Sequence, residues 1–301
     1  MKKPTIILTT DKNYILPTLA LFNNLVANTR NQFVIEIWFS FDLSSKFKSK
    51  SEKLFREINK NFELFFFTQS PLNAPGYKYL TSAAWIRLQS FDQKREADSL
   101  LLYLDSDIYL LERWEEIFVQ FPLNDLGLAA VKTKGHVNFE DQYPGKTIQD
   151  YYFNSGVLLL NQRWWIEKKL DQRWKSIIDH YEEFGFKRLD QDVLNYLIRD
   201  DYSLLANRFN CYPNDVTADS RIIHFAGLRK PWAFFSHISG KDDKFLKKIL
   251  FHYRNNLKIT LLKIVVASPV FSFHMYCAFI YRFTLMNLKN LFFIKRKKIN
   301  F

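Results

Sequence analysis

The chain has 301 residues, of which 48% are hydrophobic and 17% aromatic, so it can bury a full core as one large domain or two small ones. Its two cysteines, Cys211 and Cys277, are far apart in sequence, which argues against a disulfide framework and fits a reducing compartment. The N-terminal apolar run is short and is soon followed by Asp11. We therefore expect a first strand rather than a signal peptide, and a cytoplasmic location.

The net charge of +12 is concentrated near the C-terminus. Residues 241–301 contain thirteen Lys and Arg and two Asp, which gives this segment a charge of +11 and leaves residues 1–240 at +1. A nearly neutral body with a strongly basic tail indicates an anionic partner, either acidic lipid or nucleic acid. Because the body has no basic stripe and the basic residues of the tail stand among apolar ones, we expect no nucleic acid partner.

Short apolar runs alternate with amphipathic stretches over residues 1 to about 130, which predicts an α/β fold with a mainly parallel sheet covered by helices. The predicted elements are strand Thr5 to Leu8, helix Leu16 to Val26, strand Phe33 to Phe39, helix Lys48 to Ile58, strand Glu63 to Phe67, helix Thr81 to Phe91, strand Leu100 to Leu104 and strand Gly127 to Val131. Further along we predict strand Phe153 to Leu160, a helix that ends near Phe184, helix Asp190 to Ile198 and strand Arg221 to Phe225. Ligands of such sheets bind beyond the carboxyl ends of the strands, where Asp11 and Asp105 are expected.

Two carboxylates, Asp105 and Asp107, directly follow the predicted strand Leu100 to Leu104, and an apolar run resumes after them. Buried carboxylates need partners, and a divalent cation is a common partner for two that converge. If the chain turns at Ser106, both carboxylates can face one ion. Many sugar transferases hold Mn²⁺ or Mg²⁺ against a nucleotide diphosphate by this Asp-x-Asp pattern. The alternative is a strand that ends in two solvated turn residues.

Five segments in chain order resemble glycosyltransferase family 8, the retaining nucleotide-sugar transferases of the GT-A fold, and within it the bacterial lipopolysaccharide galactosyl- and glucosyltransferases. The segments are residues 9–14 (TTDKNY), 102–107 (LYLDSD), 152–161 (YFNSGVLLLN), 189–195 (LDQDVLN) and 223–232 (IHFAGLRKPW). The resemblance implies a Rossmann-like GT-A domain in residues 1–240, with a mixed sheet flanked by helices. A basic, apolar, helical tail in residues 241–301 would follow it.

The resemblance also implies a metal-dependent, retaining glycosyltransferase that moves a hexose, galactose or glucose, from a UDP-sugar to a glycan or glycolipid acceptor. Lipopolysaccharide, lipooligosaccharide or another cell-surface glycan is the expected acceptor, contacted by the loops Lys132 to Lys146 and Val216 to Arg221. Two other classes stay open at this point. One is a nucleic-acid-binding protein that uses the basic tail, and the other is an inactive sugar-binding relative, against which the intact set Asp105, Asp107 and His224 argues.

By resemblance, the residues after the first strand hold the nucleotide. Asp11 would accept a hydrogen bond from the uracil, Asn13 would reach the ribose and Tyr14 would stack on the base, with Thr9 and Ser106 beside them. The alternative is that Asp11 only caps the following helix and Tyr14 packs in the core.

By the same resemblance, His224 would be the third protein ligand of a cation held by Asp105 and Asp107. An imidazole beside two carboxylates favours Mn²⁺ over Mg²⁺. Gly227 would let the backbone approach the ligand, and Lys230 would place a compact positive charge near the diphosphate. The alternative for His224 is a purely structural histidine.

The donor sugar and diphosphate would face Arg87, Asn154 and Ser155, while the catalytic pair would be Asp190, on sugar hydroxyls, and Gln191, near the anomeric carbon. Retention calls either for a nucleophile on the opposite face or for front-face departure, in which the leaving phosphate deprotonates the incoming hydroxyl. We favour the second route because an amide is a feeble nucleophile. The alternatives are a solvated arginine, a strand-capping Asn-Ser pair and an aspartate that caps a helix.

After residue 241, basic and apolar residues alternate at helical spacing, and Ile264 to Tyr281 contains eighteen residues without a charged side chain. This pattern favours a peripheral attachment to the anionic inner face of the cell membrane. Two alternatives stay open: a helical subdomain folded on the body, and a membrane span, for which eighteen residues is near the lower limit.

Overall fold

The computed structural model describes residues 3–59, 61–72, 82–95, 99–120, 127–133, 152–184, 186, 188–227, 230–232 and 243–267. Its strands are β1 Thr5–Thr10, β2 Val34–Phe39, β3 Glu63–Thr68, β4 Leu100–Leu104, β5 Ile108–Leu110, β6 Leu128–Lys132, β7 Phe153–Asn161, β8 Ser203–Leu204 and β9 Ile222–His224. Its α-helices are α1 Ile15–Asn28, α2 Ser45–Ile58, α3 Ile86–Asp92, α4 Gln162–Glu167, α5 Leu170–Asp179, α6 Tyr181–Phe184, α7 Asp190–Ile198 and α8 Asp243–Ala267.

The central sheet has seven strands in the order β3-β2-β1-β4-β7-β6-β8. The first four strands in this order are mutually parallel, β7 runs antiparallel to both β4 and β6, and β8 is parallel to β6. This arrangement confirms the mixed sheet of the GT-A fold. Since β1 and β4 are parallel neighbours, Asp11 and Asp105 follow them at the same edge, as predicted.

Both faces of the sheet are covered, because successive side chains of a strand point to opposite sides. In β1, Ile6 and Leu8 belong to the buried cluster that includes Leu19 of α1. Ile7 belongs to a second cluster on the other side, together with Trp174 of α5. Burial on both faces explains why the centre of β1 and the whole of β4 are apolar.

Some elements differ from the sequence prediction. The strands β5 and β8 have only three and two residues, which is too short for a periodic pattern to reveal them. The single helix predicted to end near Phe184 is divided into α4, α5 and α6, and Lys169, at a φ of 54°, interrupts it between the first two. The predicted helix Thr81 to Phe91 is a 3₁₀ turn, Ser82–Trp85, followed by α3.

The helix α8 of the predicted tail lies against α1 of the body. Its Leu246, Tyr253 and Leu257 are buried, and Asn256 donates a hydrogen bond from Nδ2 to the carbonyl oxygen of Ala20 at 2.7 Å. The alternative in which the tail packs on the body therefore describes this helix.

The uncharged run Ile264 to Tyr281 extends mostly beyond the described residues, as do residues 268–301 as a whole. Within the part of the chain that the structure describes, no helix combines the length and the apolarity needed to cross a bilayer.

Two aromatic residues of α8 test whether this helix stabilises the fold. Tyr253 is 1% exposed and packs against Phe225 and Trp232, whereas Phe251 is 64% exposed. We expect Tyr253→Ala to lower the free energy of unfolding by about 3–5 kcal/mol, because it removes a buried ring. Phe251→Ala should change it by less than about 0.5 kcal/mol. Urea unfolding curves of both variants measure the difference, and equal losses would contradict the packing of α8 on the body.

Candidate metal and nucleotide site

The three predicted metal ligands converge at the carboxyl edge of the sheet. Asp105 and Asp107 flank the turn between β4 and β5, and β5 pairs with β9 so that Ile108 lies opposite His224. The backbone N–H of Phe225 donates to the carbonyl oxygen of Asp107 at 3.0 Å. As a result, Nε2 of His224 lies 3.6 Å from Oδ2 of Asp105 and 3.2 Å from Oδ1 of Asp107.

These donor atoms fit a divalent cation. One oxygen of each aspartate and one imidazole nitrogen all lie within 4.8 Å of one another. Two carboxylate oxygens and one nitrogen form a donor set that suits Mn²⁺. Burial alone would raise the pKa of Asp107, but the positive charge of Lys230 holds it well below its usual range. The carboxylate is therefore ionised and ready to bind a cation.

Gly156 is a site residue that the sequence analysis missed. Its carbonyl oxygen accepts a hydrogen bond from the backbone N–H of Asp105 at 2.9 Å. A Cβ atom at this position would lie 2.7 Å from Nδ1 of His224 and 2.9 Å from Oδ2 of Asp105. Only a residue without a side chain leaves room for both ligands. The available signal was a glycine inside an apolar strand, which often marks a close approach of this kind.

Arg87 is buried and joins two acids of the site. Its Nη2 donates to Oδ1 of Asp105 at 2.8 Å, its Nε lies 2.6 Å from Oδ2 of Asp190, and its Nη1 donates to the carbonyl oxygen of Ser155. Burial alone would lower the pKa of Arg87, but Asp105 and Asp190 raise it above its ordinary value. The alternative of a solvated arginine is therefore wrong. A contact of Arg87 with the donor sugar stays a prediction.

Asp190 opens α7 and is also buried. Burial raises the pKa of Asp190 to about 7, against the opposing attraction of Arg87. The preceding residue, Leu189, has a φ of 43°, a conformation that is uncommon for a side chain of this size. Such strain is concentrated at functional sites, where the surrounding structure holds it in place.

Lys230 and Gly227 belong to the segment that follows β9. The ammonium group of Lys230 is buried and donates to Oδ2 of Asp107 and to the carbonyl oxygen of Phe225. Although burial lowers the pKa of Lys230, the attraction of Asp107 outweighs it and raises that pKa. Gly227 has a φ of 87°, a conformation that favours glycine. The approach of its backbone to a ligand stays a prediction.

On the nucleotide side, Asp11 caps the turn that leads into α1. Its Oδ1 accepts hydrogen bonds from the backbone N–H groups of Asn13 at 2.7 Å and Tyr14 at 3.0 Å, and its Oδ2 accepts one from Nδ2 of Asn13 at 3.3 Å. These contacts close the turn that ends at Tyr14, the N-cap residue of α1, so they lie before the first helical residue, Ile15. A carboxylate offers about four acceptor positions, so these three hydrogen bonds do not exhaust the side chain.

Tyr14, Thr9 and Ser106 complete this side of the site. The half-buried ring of Tyr14 meets Trp232 edge-on, with the ring centroids 6.1 Å apart, and burial raises the pKa of its hydroxyl. Ser106 donates from Oγ to the carbonyl oxygen of Thr9 at 2.8 Å, which ties the Asp-x-Asp turn to the end of β1. Thr9 Oγ1 lies 2.9 Å from the hydroxyl of Tyr103, which in turn donates to the carboxylate that follows β4.

Gln191 is held by the predicted Asn154–Ser155 pair. Its Oε1 lies within hydrogen-bonding distance of Nδ2 of Asn154 at 3.1 Å, the backbone N–H of Ser155 at 3.2 Å and the hydroxyl of Ser155 at 3.4 Å. Its Nε2 donates to the hydroxyl of Tyr152 at 2.8 Å. Two distant segments therefore meet here, and their contacts with the donor sugar stay a prediction. The sequence analysis missed Tyr152 and Asn210, which extend this network.

Comparison with known proteins agrees with this geometry. The family model Glycosyl transferase family 8 matches residues 5–235. A lipopolysaccharide 1,2-glucosyltransferase of Escherichia coli is 23% identical over 253 residues, which cover 77% of this chain and 74% of that protein. The lipopolysaccharide 1,3-galactosyltransferase of Salmonella typhimurium is 24% identical over 243 residues, which cover 74% of this chain and 71% of the relative.

Solved structures share the fold. The galactosyltransferase LgtC, crystallised with donor and acceptor sugar analogues, aligns with a TM-score of 0.65 at 18% identity and covers 84% of this chain and 99% of its own. The glycosyltransferase GlyE of Streptococcus pneumoniae aligns with a TM-score of 0.60 at 20% identity and covers 88% of this chain and 64% of its own. With the family match spanning most of the chain and the fold agreeing, the protein belongs to glycosyltransferase family 8.

Proposed function

We propose that this glycosyltransferase is a metal-dependent, retaining hexosyltransferase that moves galactose or glucose from a UDP-sugar to lipopolysaccharide or another cell-surface glycan. The observation that carries the proposal is the convergence of Asp105, Asp107 and His224 on one point. The lipopolysaccharide glucosyl- and galactosyltransferases among its relatives support the donor and acceptor classes.

Asp105, Asp107 and His224 would hold the cation, and Lys230 would contact the diphosphate. When bound, a divalent ion supplies positive charge beside the phosphates of the leaving group. Lys230 lies against Asp107, so it adds a second, fixed positive charge at the same place. Charges that are already in position stabilise a developing negative charge without reorganisation. We therefore assign the departure of the nucleotide diphosphate to this end of the site.

Retention is proposed to follow the front-face route. The oxygen that would have to act as a nucleophile is Oε1 of Gln191, and three donors from Asn154 and Ser155 surround it. Hydrogen bonds to an amide oxygen withdraw electron density from its lone pairs and occupy the directions of attack. This contact pattern supports a role for Gln191 in positioning the sugar rather than in forming a covalent bond.

The nucleotide would lie between the ends of β1 and β9. Tyr14 would offer its ring to the base, and Asp11 would use its remaining acceptor position for the uracil N–H while it continues to close the turn before α1. Asn13 would reach the ribose from the same turn.

The acceptor would enter beside β6. A cleft of about 370 Å³ lies there and is lined by Lys132, Tyr212, Thr217 and Asp219, among others. Three of these residues belong to the two segments expected to contact the acceptor. Charged and hydroxyl groups in a cleft suit a sugar, which is recognised mainly through hydrogen bonds.

Attachment to the inner face of the cell membrane would use the tail. On α8, Phe251 and Leu262 are each 64% exposed, and Lys247, Lys248 and Lys258 are exposed on the same helix. Apolar side chains among lysines suit the interface of an anionic bilayer better than a nucleic acid backbone. Because α8 also packs on α1, deletion of residues 241–301 would uncover the core, so the surface is better tested by substitution.

The first test concerns Asp107. We expect Asp107→Asn to lower Mn²⁺-dependent release of UDP from UDP-galactose or UDP-glucose by about 10²–10³-fold, because it removes one fixed charge of the cation site without changing the size of the side chain. The matched control is Asp201→Asn, at an exposed ion pair with Lys168. A near-wild-type rate in folded Asp107→Asn would contradict the metal assignment.

The second test concerns the space at Gly156. We expect Gly156→Ala to weaken Mn²⁺ binding by about 10–100-fold, because the added methyl group displaces His224 and Asp105. Gly127→Ala is the steric control, since its methyl group would lie 2.6 Å from Trp164, away from the site. Isothermal titration of each variant with Mn²⁺ measures the effect. Equal Mn²⁺ affinities in the two variants would refute the role of Gly156.

The third test concerns the membrane surface. We expect Lys247→Glu/Lys248→Glu to weaken binding to phosphatidylserine-containing vesicles by at least about tenfold, because each lysine near an anionic surface contributes about 1 kcal/mol. The release of UDP should be unchanged. The control Lys168→Glu/Lys169→Glu reverses another adjacent, exposed pair, which lies between Trp165 and Leu170 of the buried cluster on the other side of the sheet from α8. Equal sedimentation of both double variants with the vesicles would argue against attachment through α8.

A further inference from the structure

We propose that Asn210 is a positioning residue that determines which ring nitrogen of His224 faces the metal site. The inference rests on the cation site of the proposed function and assigns it a partner behind its histidine ligand. The side chain of Asn210 is 4% exposed, and its Oδ1 lies 2.9 Å from Nδ1 of His224.

The direction of the network is set by a backbone group. The N–H of Gly156 donates to Oδ1 of Asn154 at 3.0 Å. A backbone N–H can only donate, so the atom of the Asn154 amide that faces it must be the oxygen. This fixes the orientation of the Asn154 side chain independently of any other side chain.

The next amide follows from the first. Asn210 contacts the same Oδ1 of Asn154 at 2.9 Å, and two oxygens at that distance would repel each other. Asn210 must therefore present its NH₂ group to Asn154 and its Oδ1 to the other side, where Nδ1 of His224 lies. Since an amide oxygen can only accept, Nδ1 of His224 must carry a proton.

A neutral imidazole has one N–H and one lone pair. With the proton on Nδ1, the lone pair is on Nε2, the nitrogen that lies between Oδ2 of Asp105 and Oδ1 of Asp107. A hydrogen bond from the second ring nitrogen fixes the tautomer and orientation of a histidine ligand. Asn210 would perform this task as part of a chain of three hydrogen bonds, from Gly156 to Asn154, from Asn210 to Asn154 and from His224 to Asn210.

The backbone around Asn210 makes this contact rigid. The N–H of Cys211 donates to the carbonyl oxygen of Ile222 at 2.9 Å, and the N–H of His224 donates to the carbonyl oxygen of Cys211 at 2.8 Å. Asn210 and His224 are therefore carried by two neighbouring, hydrogen-bonded segments. Loss of the Asn210 side chain should therefore change the orientation and tautomer of the His224 ring and leave the backbone of His224 in place.

A buried asparagine could contribute only to the stability of the fold. The test therefore uses measurements that a loss of stability alone would not affect. The first is the protonated ring nitrogen of His224 in the metal-free wild-type protein, read from ¹⁵N NMR at a pH where the ring is neutral. We expect the proton on Nδ1. A proton on Nε2 would overturn the proposal without the use of any variant.

The second measurement is the affinity for Mn²⁺ alone by isothermal titration. We expect Asn210→Leu to bind Mn²⁺ about 10–100-fold more weakly than the wild type. Asn210→Asp should lose less of its affinity for Mn²⁺, because a carboxylate still accepts a hydrogen bond from Nδ1 of His224. The control Gln162→Leu removes a buried amide that binds backbone carbonyl oxygens of Phe91 and Gln93, and it should keep the wild-type affinity.

Equal Mn²⁺ affinities of Asn210→Leu and the wild type would overturn the proposal, and so would an equal loss in Gln162→Leu. If the wild type itself binds no Mn²⁺, the proposed cation site fails. The tautomer of His224 in the metal-free protein still decides the role of Asn210 in that case, so the two failures are distinguishable.

Discussion

The compensation of three clustered carboxylates is the constraint on which the site depends. Asp105, Asp107 and Asp190 lie together at the carboxyl edge of the sheet, and among the described residues the permanently charged basic side chains that pair with them are Arg87 and Lys230. Two positive charges face three acids, and a buried charge without a partner is costly. Burial raises the pKa of Asp190 to about 7, which reduces the negative charge of this carboxyl group near neutral pH. A bound cation would supply the remaining compensation between Asp105 and Asp107.

The sequence predicted the parts of this site that follow long, doubly buried strands. β4 is a continuous apolar run and β1 has an apolar centre, so Asp105 and Asp11, which follow them, were placed at the correct edge. His224 was assigned by resemblance, and the pairing that delivers it, between β5 and β9, involves three residues of each strand. The predicted strand Arg221 to Phe225 corresponds to β9, whereas β5 was not predicted, because no periodic pattern can be read from three residues.

The contacts that sequence reasoning missed are those that depend on two or three chain segments at once. Arg87 was expected on the donor sugar, and its bridging of Asp105 and Asp190 arises only when α3, β4 and α7 are assembled. Asn210 had no signal beyond its place between apolar residues. The same reasoning placed a domain boundary near residue 240 because charge and composition change there, whereas the buried face of α8 packs on the body. Composition counts the residues on the exposed face of a helix together with those on its buried face, so it does not show that one face of α8 packs on the body.

The packing of α8 connects the proposed membrane surface to the nucleotide side of the site. Tyr253 stacks on Trp232 with centroids 6.3 Å apart, and Trp232 meets the edge of Tyr14. Arg254 donates from Nε to the carbonyl oxygen of Pro231 at 3.3 Å, next to Lys230. The segment that carries the proposed diphosphate contact is therefore held from behind by the helix whose other face would meet the membrane. The proposed diphosphate contact and the proposed membrane contact therefore both depend on the packing of α8 against Trp232.

The amide network imposes a similar link between the cation end and the sugar end of the site. Asn154 contacts Asn210, which holds His224, and it also donates to Gln191. Since one side chain orients both neighbours, a change at either end alters the hydrogen bonds available at the other. Substitutions in such a network are not additive. The combined change in the free energy of Mn²⁺ binding for substitutions at Asn210 and Gln191 should thus differ from the sum of the single changes. Substitutions at Asn210 and Tyr14, which share no hydrogen-bond partner among the described residues, should add.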